Sequence, residues 1–141
     1  MKFKEFDFVP EIMEGLESMG FEECTPVQEL AMPVIWQGND LIILDPPAFA
    51  KHRSALNQAL QGYKKLNTRA FQQIRPGGIL FTFSCSQVVT RTNFREAVFS
   101  AAAISKRNIR ILHQLSQPGD HPINIYHPEG EYLKGLVLYV E

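Results

Sequence analysis

Leu41-Ile42-Ile43-Leu44-Asp45-Pro46-Pro47 sets four consecutive apolar residues against an acid and two prolines. A short unbroken apolar run fits a strand covered on both faces, because burial on both sides removes the polar half of the usual alternation. Asp45-Pro46-Pro47 then ends it, since proline brings no amide to a ladder. On this reading Ile43→Asp puts a charge into an interior layer and costs several kcal/mol.

Downstream the period changes. Leu56, Leu60, Tyr63, Leu66, Ala70, Phe71 and Ile74 recur at helical spacing and predict a long helix from about Arg53 to Ile74, stopped by Pro76-Gly77-Gly78. Strand Ile79 to Phe83 follows, then a helix from about Asn93 to Lys106 that either Thr90 or Thr92 can cap. Ile109 to Leu115 and Leu136 to Val140 read as two further strands. Upstream, Ile12, Met13, Leu16 and Met19 mark an amphipathic helix that opens after Pro10 and closes at Gly20. Thr25-Pro26-Val27-Gln28 supplies a cap hydroxyl, a first-turn proline and a glutamine able to reach back, so a second helix begins there; Pro33 should kink or shorten it. Helical crossovers between strands imply an α/β fold with a parallel sheet, and the last strand, which follows a loop, is expected to be antiparallel.

The chain has 141 residues, 45% apolar, enough for one core. A net charge of −1 gives no sign of a broad basic surface, so RNA contact is expected to be local and weak. Two cysteines far apart form no ligand or redox spacing, and the N-terminus carries no apolar leader, so a cytoplasmic setting is expected. No apolar run approaches the roughly 18 residues of a spanning helix, and no membrane role is expected.

Two resemblances divide the chain. Leu41-Ile42-Ile43-Leu44-Asp45-Pro46-Pro47 with Phe81-Thr82-Phe83-Ser84-Cys85-Ser86, their spacing, and Pro128-Glu129-Gly130-Glu131-Tyr132-Leu133-Lys134-Gly135 resemble the C-terminal half of class I S-adenosylmethionine-dependent ribosomal RNA cytosine-5 methyltransferases. Gly20-Phe21-Glu22-Glu23-Cys24-Thr25-Pro26-Val27-Gln28, with Ala31-Met32-Pro33, Gly38-Asn39-Asp40 and the upstream aromatic Phe3, resembles the Q motif of DEAD-box RNA helicases. Together they imply an engineered or recombined chimera: residues 1–40 a helical Q-motif segment grafted on residues 41–141, half of a Rossmann-like methyltransferase sheet, the two forming one compact domain.

The methyltransferase resemblance implies that Cys85 attacks C6 of a target cytosine and that Asp45 hydrogen-bonds the base, with Pro46 and Pro47 shaping its pocket. Such a thiol acts as thiolate and depends on its electrostatic surroundings, so the bland alternative is an inert cysteine left from a parent protein. Asp45-Pro46-Pro47 is equally a stiffened strand end. The helicase resemblance implies that Gln28 reads adenine beside Phe3 and Phe21, yet a capping box accounts for the same glutamine spacing. A phosphate-cradling G-x-x-x-x-G-K-[ST] loop does not follow Gly38-Asn39-Asp40, and no glycine-rich turn follows a strand. No cofactor is therefore expected, S-adenosylmethionine or ATP binding surviving only as a residue of the parents. No metal is expected either: Asp120, His121 and His127 lack an established ligand spacing, and His113 reads as a packed or edge residue. Lys51, His52, Arg53, Lys64, Lys65 and Arg69 form a basic stretch that fits either phosphate contact or a solvated helix face.

The leading expectation is a folded chimera without turnover. The alternatives are a remnant RNA cytosine-5 methyltransferase working through Cys85 and Asp45, and a weak adenine-nucleotide or RNA-binding module. Without a neighbour, the Leu41 to Leu44 strand would leave an unpaired edge, which favours self-association.

Overall fold

The computed structural model describes all 141 residues, Met1–Glu141. They form two compact units, Met1–Gly38 and Asn39–Glu141.

In the first unit, α1 (Pro10–Ser18) starts at a proline whose missing amide costs nothing in a first turn, and Gly20 ends the segment at φ +71°. The chain folds back so that the Phe3 amide donates to the Glu22 carbonyl at 3.0 Å and the Cys24 amide to the Met1 carbonyl at 3.0 Å. Thr25 caps α2 (Pro26–Trp36): its hydroxyl accepts from the Gln28 amide at 3.3 Å, and the Gln28 Oε1 accepts from the Thr25 amide at 2.9 Å. Pro33 does not shorten this helix, which runs on to Trp36. Only the Glu29 carbonyl loses its helical donor to the proline, a cost borne near the helix end. Phe6 stacks on Trp36 at 5.5 Å between ring centroids, with Phe8 tilted against the same indole at 5.1 Å.

The second unit is a four-stranded sheet of order β1-β2-β4-β3, formed by β1 (Leu41–Leu44), β2 (Gly78–Ser84), β3 (Ile109–Leu115) and β4 (Lys134–Val140). β1 and β2 are parallel; β4 runs antiparallel to both its neighbours, as the loop connection predicts. Helices α3 (Leu56–Gln73) and α4 (Arg91–Ser105) pack together on one face, where Tyr63, Phe71, Phe94, Val98 and Ala101 meet Leu80, Leu136, Leu138 and Val140. Phe94 meets Tyr63 edge to face at 5.3 Å. Thr90, rather than Thr92, is the cap of α4: its hydroxyl accepts from the Asn93 amide at 3.1 Å. Arg107, just beyond α4, donates to the last carbonyls of the α3 region, Phe71 at 2.8 Å and Ile74 at 2.9 Å, and to the Glu141 carbonyl at 2.7 Å. Asp40 accepts from the Arg75 Nε at 2.8 Å and amide at 2.9 Å, tying the start of β1 to the turn before β2. These bonds hold its carboxyl below the usual range, the guanidinium first among them.

The reading of Leu41 to Leu44 as covered on both faces is corrected. Ile42 and Leu44 pack against the helix-side core, whereas Ile43 is 50% exposed. β1 is an edge strand paired to β2 alone, so the helices shelter one of its faces and the alternate side chain meets solvent. His113 is exposed on the opposite edge strand, β3, beside a register shift between Ile111 and His113. No helix is long and apolar enough to cross a membrane.

Candidate active site

Because β1 and β2 are parallel, with Leu44 opposite Thr82, their C-terminal ends deliver Asp45-Pro46-Pro47 and Cys85 to the same rim of the sheet. This rim is where open α/β folds place ligands. The half-buried Cys85 thiol points at the Pro46 carbonyl, 3.8 Å away, while Asp45 and Pro47 stand exposed beside it.

Buried polar groups fix the Cys85 turn from below. The Ser84 hydroxyl donates to the Tyr63 hydroxyl at 3.0 Å, the Ser86 amide reaches the Ser84 oxygen at 3.4 Å, and the Ser86 hydroxyl donates to the Ala50 carbonyl. Tyr63 is 0% exposed; burial pushes its hydroxyl pKa up, with the Ser84 bond acting in the opposite sense. The loop after β1 is held by Phe49, whose ring lies 4.7 Å from that of Tyr63. Gly62, one residue before Tyr63, makes room for it: a Cβ there would stand 3.0 Å from Phe49 Cδ2. Further along, the Gln87 side chain donates to the Glu129 carbonyl at 2.7 Å and Arg91 pairs with Glu131 at 2.9 Å, fastening the segment before β4 to the loop after Cys85.

Lys134 belongs to this site and was missed by the sequence reading, which began the last strand at Leu136. It is 6% exposed, and its ammonium donates to the Ser86 carbonyl at 2.6 Å. Lys134 shares the parity of Leu136, Leu138 and Val140, but the other parity of β4 is buried as well, so alternation gives no signal for it.

The other expected site residues lie elsewhere. Phe3, 5% exposed, and Phe21, 51% exposed, line one hollow of the first unit with Lys2, Lys4, Met13, Glu17 and Glu22. Gln28 does not line it, and its carboxamide oxygen is engaged in the Thr25 cap. Asp120 faces His121 at 3.3 Å and Glu129 faces His127 at 3.1 Å, as two separate exposed pairs. Lys51, His52 and Arg53 are exposed just past the Asp45 loop, while Lys64, Lys65 and Arg69 line a shallow groove on α3. The positive-φ glycines, Gly20, Gly38 and Gly77, follow helices or lead into β2, and none follows a strand.

Strand order, the antiparallel β4 and the rim placement of Cys85 define a class, part of a methyltransferase-type α/β sheet. Solved structures agree at the level of fold. One is a putative methyltransferase crystallised with SAH, with a TM-score of 0.58 and 18% identity over 89% of this chain and 34% of that one. Another is a putative SAM-dependent methyltransferase from Streptococcus mutans, with a TM-score of 0.57 and 18% identity over 81% of this chain and 29% of that one. Sequence similarity is closer. The chain is 48% identical over 101 residues, 72% of its length, to ribosomal RNA large subunit methyltransferase I of Shewanella denitrificans, and 48% identical over 99 residues to the protein of that name from Aeromonas salmonicida. It spans about a quarter of the length of these curated relatives, 25% in each case. No family model matches. The relatives support the methyltransferase side of the sequence reading and carry nothing for the helicase resemblance of residues 1–40.

Proposed function

We propose that the second unit is the base-binding and nucleophile half of a ribosomal RNA cytosine methyltransferase. The observation that carries this reading is the Cys85 thiol lying 3.8 Å from the Pro46 carbonyl, which puts nucleophile and base anchor side by side. The 48% identity to proteins named for large-subunit ribosomal RNA methylation supports this substrate class. Asp45 and the Pro46 carbonyl are acceptors for the exocyclic amine of cytosine, and neither can serve uracil's carbonyl at that position. With its proton lost to solvent, the Cys85 thiolate uses a lone pair to form the S–C6 bond. The C5=C6 pair then shifts onto C5, and the ring carries the negative charge the sulfur gave up. Lys51 and Arg53, exposed beside the Asp45 loop, are the phosphate contacts within reach of this rim. These residues supply the groups for activating C5, and the proposal stops there.

The test is a covalent trap. An RNA fragment carrying 5-azacytidine, whose C6 is more electrophilic, is incubated with the protein and run under denaturing conditions. A retarded band is expected with the parent and with Cys24→Ala, and none with Cys85→Ala. A band that survives Cys85→Ala overturns the assignment.

A second reading, a recombined chain without turnover, draws on the unit boundary between Gly38 and Asn39, which lies close to the junction of the two resemblances. It expects no adduct, and no heat on titration with S-adenosylmethionine or ATP.

A further inference from the structure

Lys134 opens β4 and pairs across the ladder with Ser84, the residue before Cys85. Its side chain runs on under the turn, and the ammonium donates to the carbonyl of Ser86, the residue after Cys85. The nucleophile is thus bracketed by one lysine, backbone on one side and Nζ on the other. An ammonium has three donors, and the Ser86 bond is the one that Lys134 makes. No carboxylate stands within ion-pair distance of it, since Glu131 is taken by Arg91 at 2.9 Å. A cation buried to this degree without a counter-ion is costly to hold, and proteins keep one where an anion forms in use.

We propose that Lys134 is a positioning residue for Cys85: it pins the turn that presents the thiol to Pro46, and it supplies the positive charge that favours thiolate over thiol. This rests on the reading of Cys85 as nucleophile. The charged and titratable groups around the pair are Tyr63 from α3, Arg91 from α4, Glu131 from the segment before β4 and Asp45 from the loop after β1. Burial keeps Tyr63 protonated, Arg91 and Glu131 offset each other, and Asp45 is exposed and screened by solvent, so Lys134 is the uncompensated buried charge. Burial first, and then Arg91, lower its own pKa to about 8.

The experiment titrates the thiol in a Cys24→Ser background, where Cys85 is the one cysteine, by the pH dependence of iodoacetamide alkylation. Lys134→Gln is expected to move the profile up by about one pH unit, slowing alkylation at pH 7 about tenfold, and Lys134→Arg to leave it near the parent. Superposed profiles for folded Lys134→Gln and parent would overturn the proposal. Should Lys134→Gln not fold, the reciprocal measurement decides: by linkage, Cys85→Ser must lower the pKa of the Lys134 ammonium followed by nitrogen NMR, and an unmoved titration refutes the coupling. Neither readout uses RNA or a methyl donor, so a shifted thiol without an RNA adduct counts against the nucleophile reading alone.

Discussion

Gly135 lies opposite Phe83 in the β2–β4 ladder, and the aromatic ring rests over the space where a side chain would be. A Cβ at this position would stand 2.6 Å from Phe83 Cε1 and 3.1 Å from Leu115 Cβ, with Phe83 itself buried. Gly135→Ala makes the ring shift or the strands spread, and this overpacking should cost about 1–3 kcal/mol. Urea unfolding measures this as a lower midpoint at unchanged slope; a midpoint equal to the parent's would mean that the ring relaxes freely. The same glycine follows Lys134, so a bulky residue here would also displace the lysine from Ser86. Packing and site geometry are therefore coupled at neighbouring positions of one strand.

At the scale of elements, α4 depends on its first turn. Thr90 and Asn93 satisfy each other's amides, Asn93 Oδ1 accepting from the Thr90 amide at 3.4 Å, and the helix carries the Phe94, Val98 and Ala101 face into the core. Thr90→Ala should destabilise the second unit by about 1 kcal/mol, while Thr92→Ala should be near neutral; thermal unfolding of the two variants distinguishes the caps that sequence alone left open. Much else was legible. Apolar patterning gave β1 and β3 to the residue and placed α1, α3 and α4, while the Thr25-Pro26-Val27-Gln28 cap placed the start of α2. Position past the strand ends put Asp45 and Cys85 at one rim of the sheet, and the parallel pairing of β1 with β2 brings them together there. What escaped depended on three-dimensional cover. Four apolar residues in a row cannot say which alternate face is bare, so the exposure of Ile43 was hidden. A lysine reads as loop in a hydropathy pattern even when a carbonyl waits for its ammonium, so the first residues of β4 were lost along with the role of Lys134.

For the whole molecule the outer side of β1 is the open question that sequence raised and the fold sharpens. Its backbone groups pair with β2 on one side only, and Ile43 offers an apolar surface next to them. We propose self-association through this edge, with light scattering expected to give twice the 16.0 kDa of one chain. Ile43→Asp should now leave the fold intact, with a stability change within about 0.5 kcal/mol for the monomer, and yield the monomer mass. A monomeric parent would sink this proposal, and an unfolded variant would mean that Ile43 is not at a surface. The placement of β4 bears on how such a chain comes into being. It is the last strand in chain order yet it lies between β2 and β3, so those two have no ladder to each other until it inserts. During synthesis β1 and β2 can pair with each other, but β2 lacks its second neighbour and β3 has no partner until Lys134–Val140 has emerged. The distant β2–β4 pairing then arrives as one late event, making the nascent chain dependent on protection from its own exposed strands.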